Sequence, residues 1–154
     1  MNGSKAPKGP KDPKAKGPSR LRIPSPLSPE LDQLVYDVIG AAMRVHSTLG
    51  PGLAERVYAE AYVLELAQRK IQFAREVPVE ILYETHRVRR CRLDLIVANQ
   101  IVVELKTVAR LHPIHSSQML TYLRATQLPV GIILNFHERH LRDGIRRHVL
   151  HPAR

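Results

Sequence analysis

Three side chains in one stretch of the sequence have the types and spacing for hydrolytic chemistry: Asp94, Glu104 and Lys106. Asp94 lies in the run Arg92 to Val97 and the other two in Ile101 to Lys106, joined through Ala98-Asn99-Gln100. Both runs alternate as strands do. A hairpin centred on Asn99 sets Val97 opposite Ile101 and Asp94 opposite Glu104. Side chains then alternate between faces. One face receives Leu93, Leu95, Val97, Ile101, Val103 and Leu105; the other receives Asp94, Ile96, Val102, Glu104 and Lys106. The apolar face fixes the register, because a slip of one residue would bury all three charges.

Two carboxylates directly opposite one another would have Cβ atoms about 5 Å apart and would repel. A bridging cation removes that penalty, and carboxylate oxygens at roughly 2 Å suit Mg²⁺ or Mn²⁺. The Lys106 ammonium, two residues beyond Glu104, could position or help deprotonate a water and offset charge on a phosphate. Together these groups suit the hydrolysis of phosphodiesters. The same pattern also fits a solvated sheet face carrying ordinary charges.

The elements that must hold these residues follow from hydrophobic period. Ser28-Pro29 is an N-cap followed by proline at the first helical position. From Leu31 to Leu49 apolar residues recur at helical spacing until Gly50-Pro51-Gly52 stops the helix. A second helix is expected from about Leu53 to Lys70. The period then changes to two at Val77, Val79, Ile81 and Tyr83, which predicts a strand, with Glu84-Thr85-His86 as its turn. After the hairpin, Pro113 starts a third helix carrying Ile114, Met119, Leu120 and Leu123. Val130 to Phe136 reads as a strand covered on both faces. The stretch from His137 to Arg154 is rich in Arg and His and is expected to include a short helix.

Length and charge bound the reading further. The 154 residues suit one domain with its own core, and 44% hydrophobic with 25% charged residues is ordinary globular usage. The single cysteine, Cys91, excludes an internal disulfide and a Cys-rich zinc site, and points to a reducing, cytoplasmic setting. No apolar run approaches the ~18 residues of a membrane helix, and no apolar h-region follows the basic start, so neither a membrane nor a secretory signal is expected. The net charge is +10. Residues 1–22 carry seven Lys and Arg against one Asp, so +6 of it sits there and +4 on the remainder. Residues 1–26, built from Lys, Pro, Gly and Ser, are expected to form a disordered basic tail, and residues 27–150 a single domain. Such a chain attracts polyanions such as nucleic acid, although basic tails also occur on proteins that bind none.

Several motifs then appear in a fixed order. Gly52, Glu55 and Tyr58 form G-x-x-E-x-x-Y, preceded by Val38-Ile39-Gly40-Ala41-Ala42 and His46. They are followed by Asp94-Leu95-Ile96-Val97, Val103-Glu104-Leu105-Lys106, Pro113, His115, Gln118, Thr121-Tyr122-Leu123 and Leu134-Asn135-Phe136. Across residues 31–149 this resembles the GxxExxY proteins, a bacterial and archaeal family of the PD-(D/E)XK nuclease superfamily. The resemblance implies an α/β fold with a restriction-endonuclease-like core, an αβββαβ unit with an added helix. The element order ααβββαβ, with a mixed sheet flanked by helices, matches. It also implies that Asp94, Glu104 and Lys106 are the acidic, acidic and lysine positions of the site. By the same resemblance Glu55 is a helix carboxylate near the metal, so that Asp94, Glu104 and Glu55 are ligands of Mg²⁺ or Mn²⁺, and Gln118 is a supporting helix residue. Tyr58, His115, Tyr122 and Arg92 are candidate substrate contacts.

Each smaller signal has an ordinary reading beside the functional one. Tyr58 could stack on a base or order Glu55, or could be a core anchor with a satisfied hydroxyl. His112 and His115 have a spacing that zinc can use, but capping roles explain them as well, and His137 and His140 read the same way. Cys91 lies between arginines and has no catalytic partner. Arg87, Arg89, Arg90 and Arg92 read as a phosphate-contacting stripe or as surface charge. The leading expectation is a metal-dependent nuclease acting on DNA or RNA. The alternative is a catalytically inactive nucleic-acid-binding or protein-interaction domain that retains the nuclease fold. A homodimer is a further expectation about partners.

Overall fold

The computed structural model describes residues 25–151. Of the tail expected over residues 1–26, all but the last two lie outside the described residues. Three α-helices, a 3-10 turn and five strands follow in the order α1 (Pro29–Leu49), α2 (Glu55–Gln68), β1 (Phe73–Tyr83), β2 (His86–Val97), β3 (Ile101–Lys106), α3 (Pro113–Thr126), β4 (Val130–Asn135), a turn at Leu141–Gly144 and β5 (Ile145–Val149). Helix α1 begins where the cap chemistry directs, with Ser28 Oγ accepting the Leu31 amide at 3.2 Å and Pro29 in the first turn. It ends at Gly50, whose φ of 71° lets its amide return to His46 O at 2.8 Å.

The strands lie in the order β1-β2-β3-β4-β5. All neighbours are antiparallel except β3 and β4, which run parallel and are joined by the α3 crossover. Two hydrophobic layers result. On one face α1 and α2 cover Leu95, Val97, Ile101, Val103 and Leu105, and on the other α3 covers Val102 and Ile133 through Met119 and Leu123. Covered on both faces, β4 is buried along its whole length. Helix α3 packs so close to it that a Cβ at Gly131 would run into Met119 Sδ and Cγ. The Tyr62 hydroxyl ties α2 to α1 by donating to Val38 O at 3.0 Å.

Three expectations are corrected. Strands β1 and β2 begin four and six residues earlier than their apolar alternation indicates, at Phe73 and His86. The added residues of β2 pair only with β1, and β1 is an edge strand that pairs only with β2, so one side stays exposed and polar residues are tolerated there. The helix expected after His137 is a single 3-10 turn, and a fifth strand follows it. That strand is an edge with one partner, and Arg146 and Arg147 on it hide the alternation of Ile145 and Val149. Leu93 does not share a face with Leu95, for reasons that lie in the site. No described helix is long and apolar enough to cross a membrane.

Candidate active site

The β2–β3 hairpin has the register the alternation requires, with Val97 opposite Ile101, Ile96 opposite Val102 and Leu95 opposite Val103. The backbone ladder ends there. At the next position the carboxylates take over from the backbone. The Asp94 amide donates to Glu104 Oε1 at 3.1 Å, and the Leu105 amide donates to Asp94 Oδ2 at 2.8 Å. Asp94 and Glu104 are therefore not a simple opposed pair on a pleated face, because each side chain bridges the gap between two separating strands.

The separation also interrupts β2 itself. Leu95 packs in the α1/α2 layer, whereas Leu93, two residues earlier, packs in the α3 layer. Regular alternation would put both on one side, so the face changes at Asp94. On β1 the ladder skips Glu76, between Arg75 opposite Leu95 and Val77 opposite Leu93, and Glu76 has φ 53°. A non-glycine residue in that region is uncommon, and its cost is borne where neighbours fix the geometry.

Burial and mutual repulsion govern the charges. Burial first, and then the Asp94 carboxylate, push Glu104 up to about 7, against the lowering effects of the Asp94 amide and Lys106. Burial also raises Asp94, opposed by the Leu105 amide and the Lys106 charge, with Glu76 adding to the rise. Glu55 is raised by burial and then by Asp94, and Lys106 again opposes. Three carboxylates and one ammonium thus sense one another, and the anions outnumber the cation. Such a set favours protons or an added cation.

Glu55 reaches this region because it is the first residue of α2, behind the Gly50–Ala54 connection that Tyr58 braces. Tyr58 is fully buried. Its hydroxyl donates to Gly50 O and accepts the Leu53 amide at 3.2 Å, and its ring stacks on Phe136 at 4.7 Å. This corrects Tyr58 as a substrate contact: a phenol with no exposed surface and both polar functions engaged can stack on no base. A cleft of about 280 Å³ opens between α2 and the sheet, lined among others by Glu55, Arg56, Arg75, Glu76 and Asp94.

The α3 side supplies the remaining candidates. His115, Gln118 and Tyr122 fall on one helical face. Burial and the Lys106 charge lower His115, and burial and the Glu104 charge raise Tyr122. Gln118 is exposed between them. His115 Nδ1 accepts the His112 amide at 3.1 Å, which gives this histidine pair a capping role. Arg92 is exposed and ion-paired to Glu76 at 3.2 Å. Among the described residues no three His, Cys, Asp or Glu side chains gather closely enough to make a preformed metal cage. The donor set does fit a hard divalent cation, since Asp94 and Glu104 offer only oxygen, and a cation would offset the burial, and the neighbouring carboxylate charge, that raise their proton affinity.

Two participants were given no role from the sequence, although Asn135 stands in the Leu134-Asn135-Phe136 motif. Glu76 faces Asp94 from an unremarkable stretch, and nothing in its type signals positive φ. Asn135, fully buried beside Lys106 in the β3–β4 register, holds the chain leaving β3 by accepting from Val108 N at 3.0 Å and donating to Val108 O at 2.8 Å. One signal was available for Asn135, a polar residue inside an otherwise apolar buried strand.

Comparison with known proteins agrees with the fold. The family model described as the PD-(D/E)XK nuclease superfamily matches residues 32–148. No curated protein and no solved structure matches.

Proposed function

The chain belongs to the PD-(D/E)XK nuclease superfamily, and on that premise we propose that it is a nuclease using Mg²⁺ or Mn²⁺ to hydrolyse phosphodiester bonds of nucleic acid. The observation that carries this reading is the opening of β2 from β3 at Asp94 and Glu104, with Lys106 close enough to lower the proton affinity of both. Asp94 and Glu104 would hold the cation, and Glu55 would bring a further carboxylate from α2. When bound, the cation acidifies a water and offsets phosphate charge. Lys106 would donate to a phosphate oxygen and orient the attacking water. Gln118, with His115 and Tyr122 beside it, supports the site from α3. Asp94 and Glu104 are held by the two backbone amides, and Glu104 and Lys106 by the pairing of β3 with β4, before any substrate arrives, which is the preorganisation that electrostatic catalysis requires.

One observation favours a second reading, that of a non-catalytic nucleic-acid-binding or protein-interaction domain. Asp94 and Glu104 each satisfy a backbone amide, so both have work in the fold apart from any chemistry. Incubating the purified chain with labelled DNA and RNA separates the readings. The nuclease reading expects cleavage that needs Mg²⁺ or Mn²⁺, stops with EDTA and is lost in Asp94→Asn. Cleavage by Asp94→Asn at the wild-type rate, or none with either metal, overturns it.

A further inference from the structure

Beyond the candidate site, the outer halves of β1 and β2 form a two-stranded ribbon from the Val77–Leu93 pair to the Tyr83–His86 pair. One face of it packs against α3 through Val77, Val79, Ile81 and Leu93. Cross-strand partners share a face, so the other face carries Pro78 with Arg92, Glu80 with Arg90 and, past a register shift, Leu82 with Arg87. No described helix covers that second face. Its arginines are exposed, and Arg92 stands two residues from Asp94, so the stripe leads into the carboxylates.

The stripe is only partly neutralised. Arg87 pairs with Glu80 at 2.9 Å and Arg92 with Glu76 at 3.2 Å, while Arg90 has no ion-pair partner among the described residues. Ion pairs this exposed stabilise little and exchange readily for phosphate. At the far end Tyr83, which alternation sets on the same face as Val77, Val79 and Ile81, is 68% exposed, and Leu82 on the arginine face and Val88 at the register shift are also mostly exposed. Such a cluster at a turn contributes nothing to the core. An exposed aromatic ring at the end of an arginine stripe suits unpaired bases, which can turn around the ribbon's end, whereas the bases of a duplex are already stacked on one another.

We propose that the β1–β2 ribbon binds an unpaired strand of nucleic acid, with Arg87, Arg90 and Arg92 of the open face on its phosphates and the strand passing over the turn at Glu84-Thr85 to stack a base on Tyr83. This rests on the reading that nucleic acid is the substrate, and adds that the strand reaches Asp94 single. The arginine stripe sets direction along the ribbon, and the tyrosine fixes one nucleotide at its end.

Fluorescence anisotropy in EDTA tests binding without any cleavage. The probes are a labelled single strand, as DNA and as RNA, and a duplex of the same length. The single strand is expected to bind more tightly than the duplex. Tyr83→Ala should weaken single-strand binding roughly tenfold, and Tyr83→Phe should restore it. Joint Arg87→Ala and Arg90→Ala should lower the salt slope by about two, and Arg90→Glu, which breaks no ion pair, should weaken binding by itself. Unchanged thermal midpoints identify variants that still fold. Overturning results are equal affinity for duplex and single strand, no effect of Tyr83→Ala, or an unchanged salt slope. A chain that binds this way but never cuts overturns the nuclease reading alone. A chain that cuts while these variants bind as wild type overturns the ribbon alone.

Discussion

Asp94 and Glu104 are bound to each other's strands crosswise: the Asp94 amide donates to the Glu104 carboxylate, and the Asp94 carboxylate accepts the amide that follows Glu104. The exchange replaces a rung of the ladder with two side chains. It separates two effects of substitution that would otherwise be confounded.

Asp94→Asn retains an oxygen to accept the Leu105 amide and loses only charge. Cleavage should fall by about 10²–10³, while the thermal midpoint changes little. Asp94→Ala leaves that amide unsatisfied and should also cost about 1–3 kcal/mol of stability. Parallel assays of cleavage and denaturant unfolding check both. Equal stability of the two variants would show that the Leu105 contact carries no weight.

The pH dependence of stability has a definite sign. Glu104 has its proton affinity raised in the fold to about 7, from the ordinary glutamate value of 4.5. The folded protein therefore binds the proton more tightly than the unfolded chain. Its contribution is full below the unfolded value and is lost as pH rises through about 7. Asp94 and Glu55 are shifted in the same direction. The metal-free protein should thus lose stability between about pH 4.5 and 7, and Glu104→Gln should flatten that slope. Mn²⁺ should restore stability at the upper end, where the carboxylates are charged, and EDTA should remove the gain. Thermal midpoints across this range with and without Mn²⁺ are the measurement.

Tyr58→Phe keeps the stack on Phe136 and removes both hydrogen bonds of the hydroxyl. Stability should fall by about 1–2 kcal/mol, with nucleic-acid affinity in EDTA unchanged. Tyr58→Ala should cost about 3–5 kcal/mol. Weaker nucleic-acid binding by a fully folded Tyr58→Phe would return this residue to the substrate surface.

Lys106 lowers the proton affinity of Glu55, Asp94 and Glu104 together. In Lys106→Met the pH at which Mn²⁺ binds should move upward, and turnover should fall by about 10² or more. Isothermal titration with Mn²⁺ at several pH values reads the first effect independently of activity. An unmoved binding profile would separate Lys106 from the carboxylates.

Much of this was legible in the residues. Ser28-Pro29 and Gly50 set both ends of α1, and the apolar set around Asn99 set the register of β2 on β3, because burial punishes a slip of one residue. The departure at Asp94 was not legible, since Leu93 and Leu95 keep an alternating pattern although the backbone between them changes face. That change depends on two amides finding carboxylates across the gap and on Glu76 taking positive φ, neither of which has a composition signal. The outer half of β2 and β5 were hidden for a related reason. Strands with one partner or one covered face need few apolar residues.

Because Asp94 and Glu104 close the gap between β2 and β3, a chain drifting under selection for stability alone would keep both acids after its activity was lost. Their presence testifies to folding as much as to turnover. Among the described residues the Lys106 side chain makes no hydrogen bond and no ion pair, so nothing in the architecture protects it. In relatives with this hairpin, a lysine retained at that position would mark the chains that still cut.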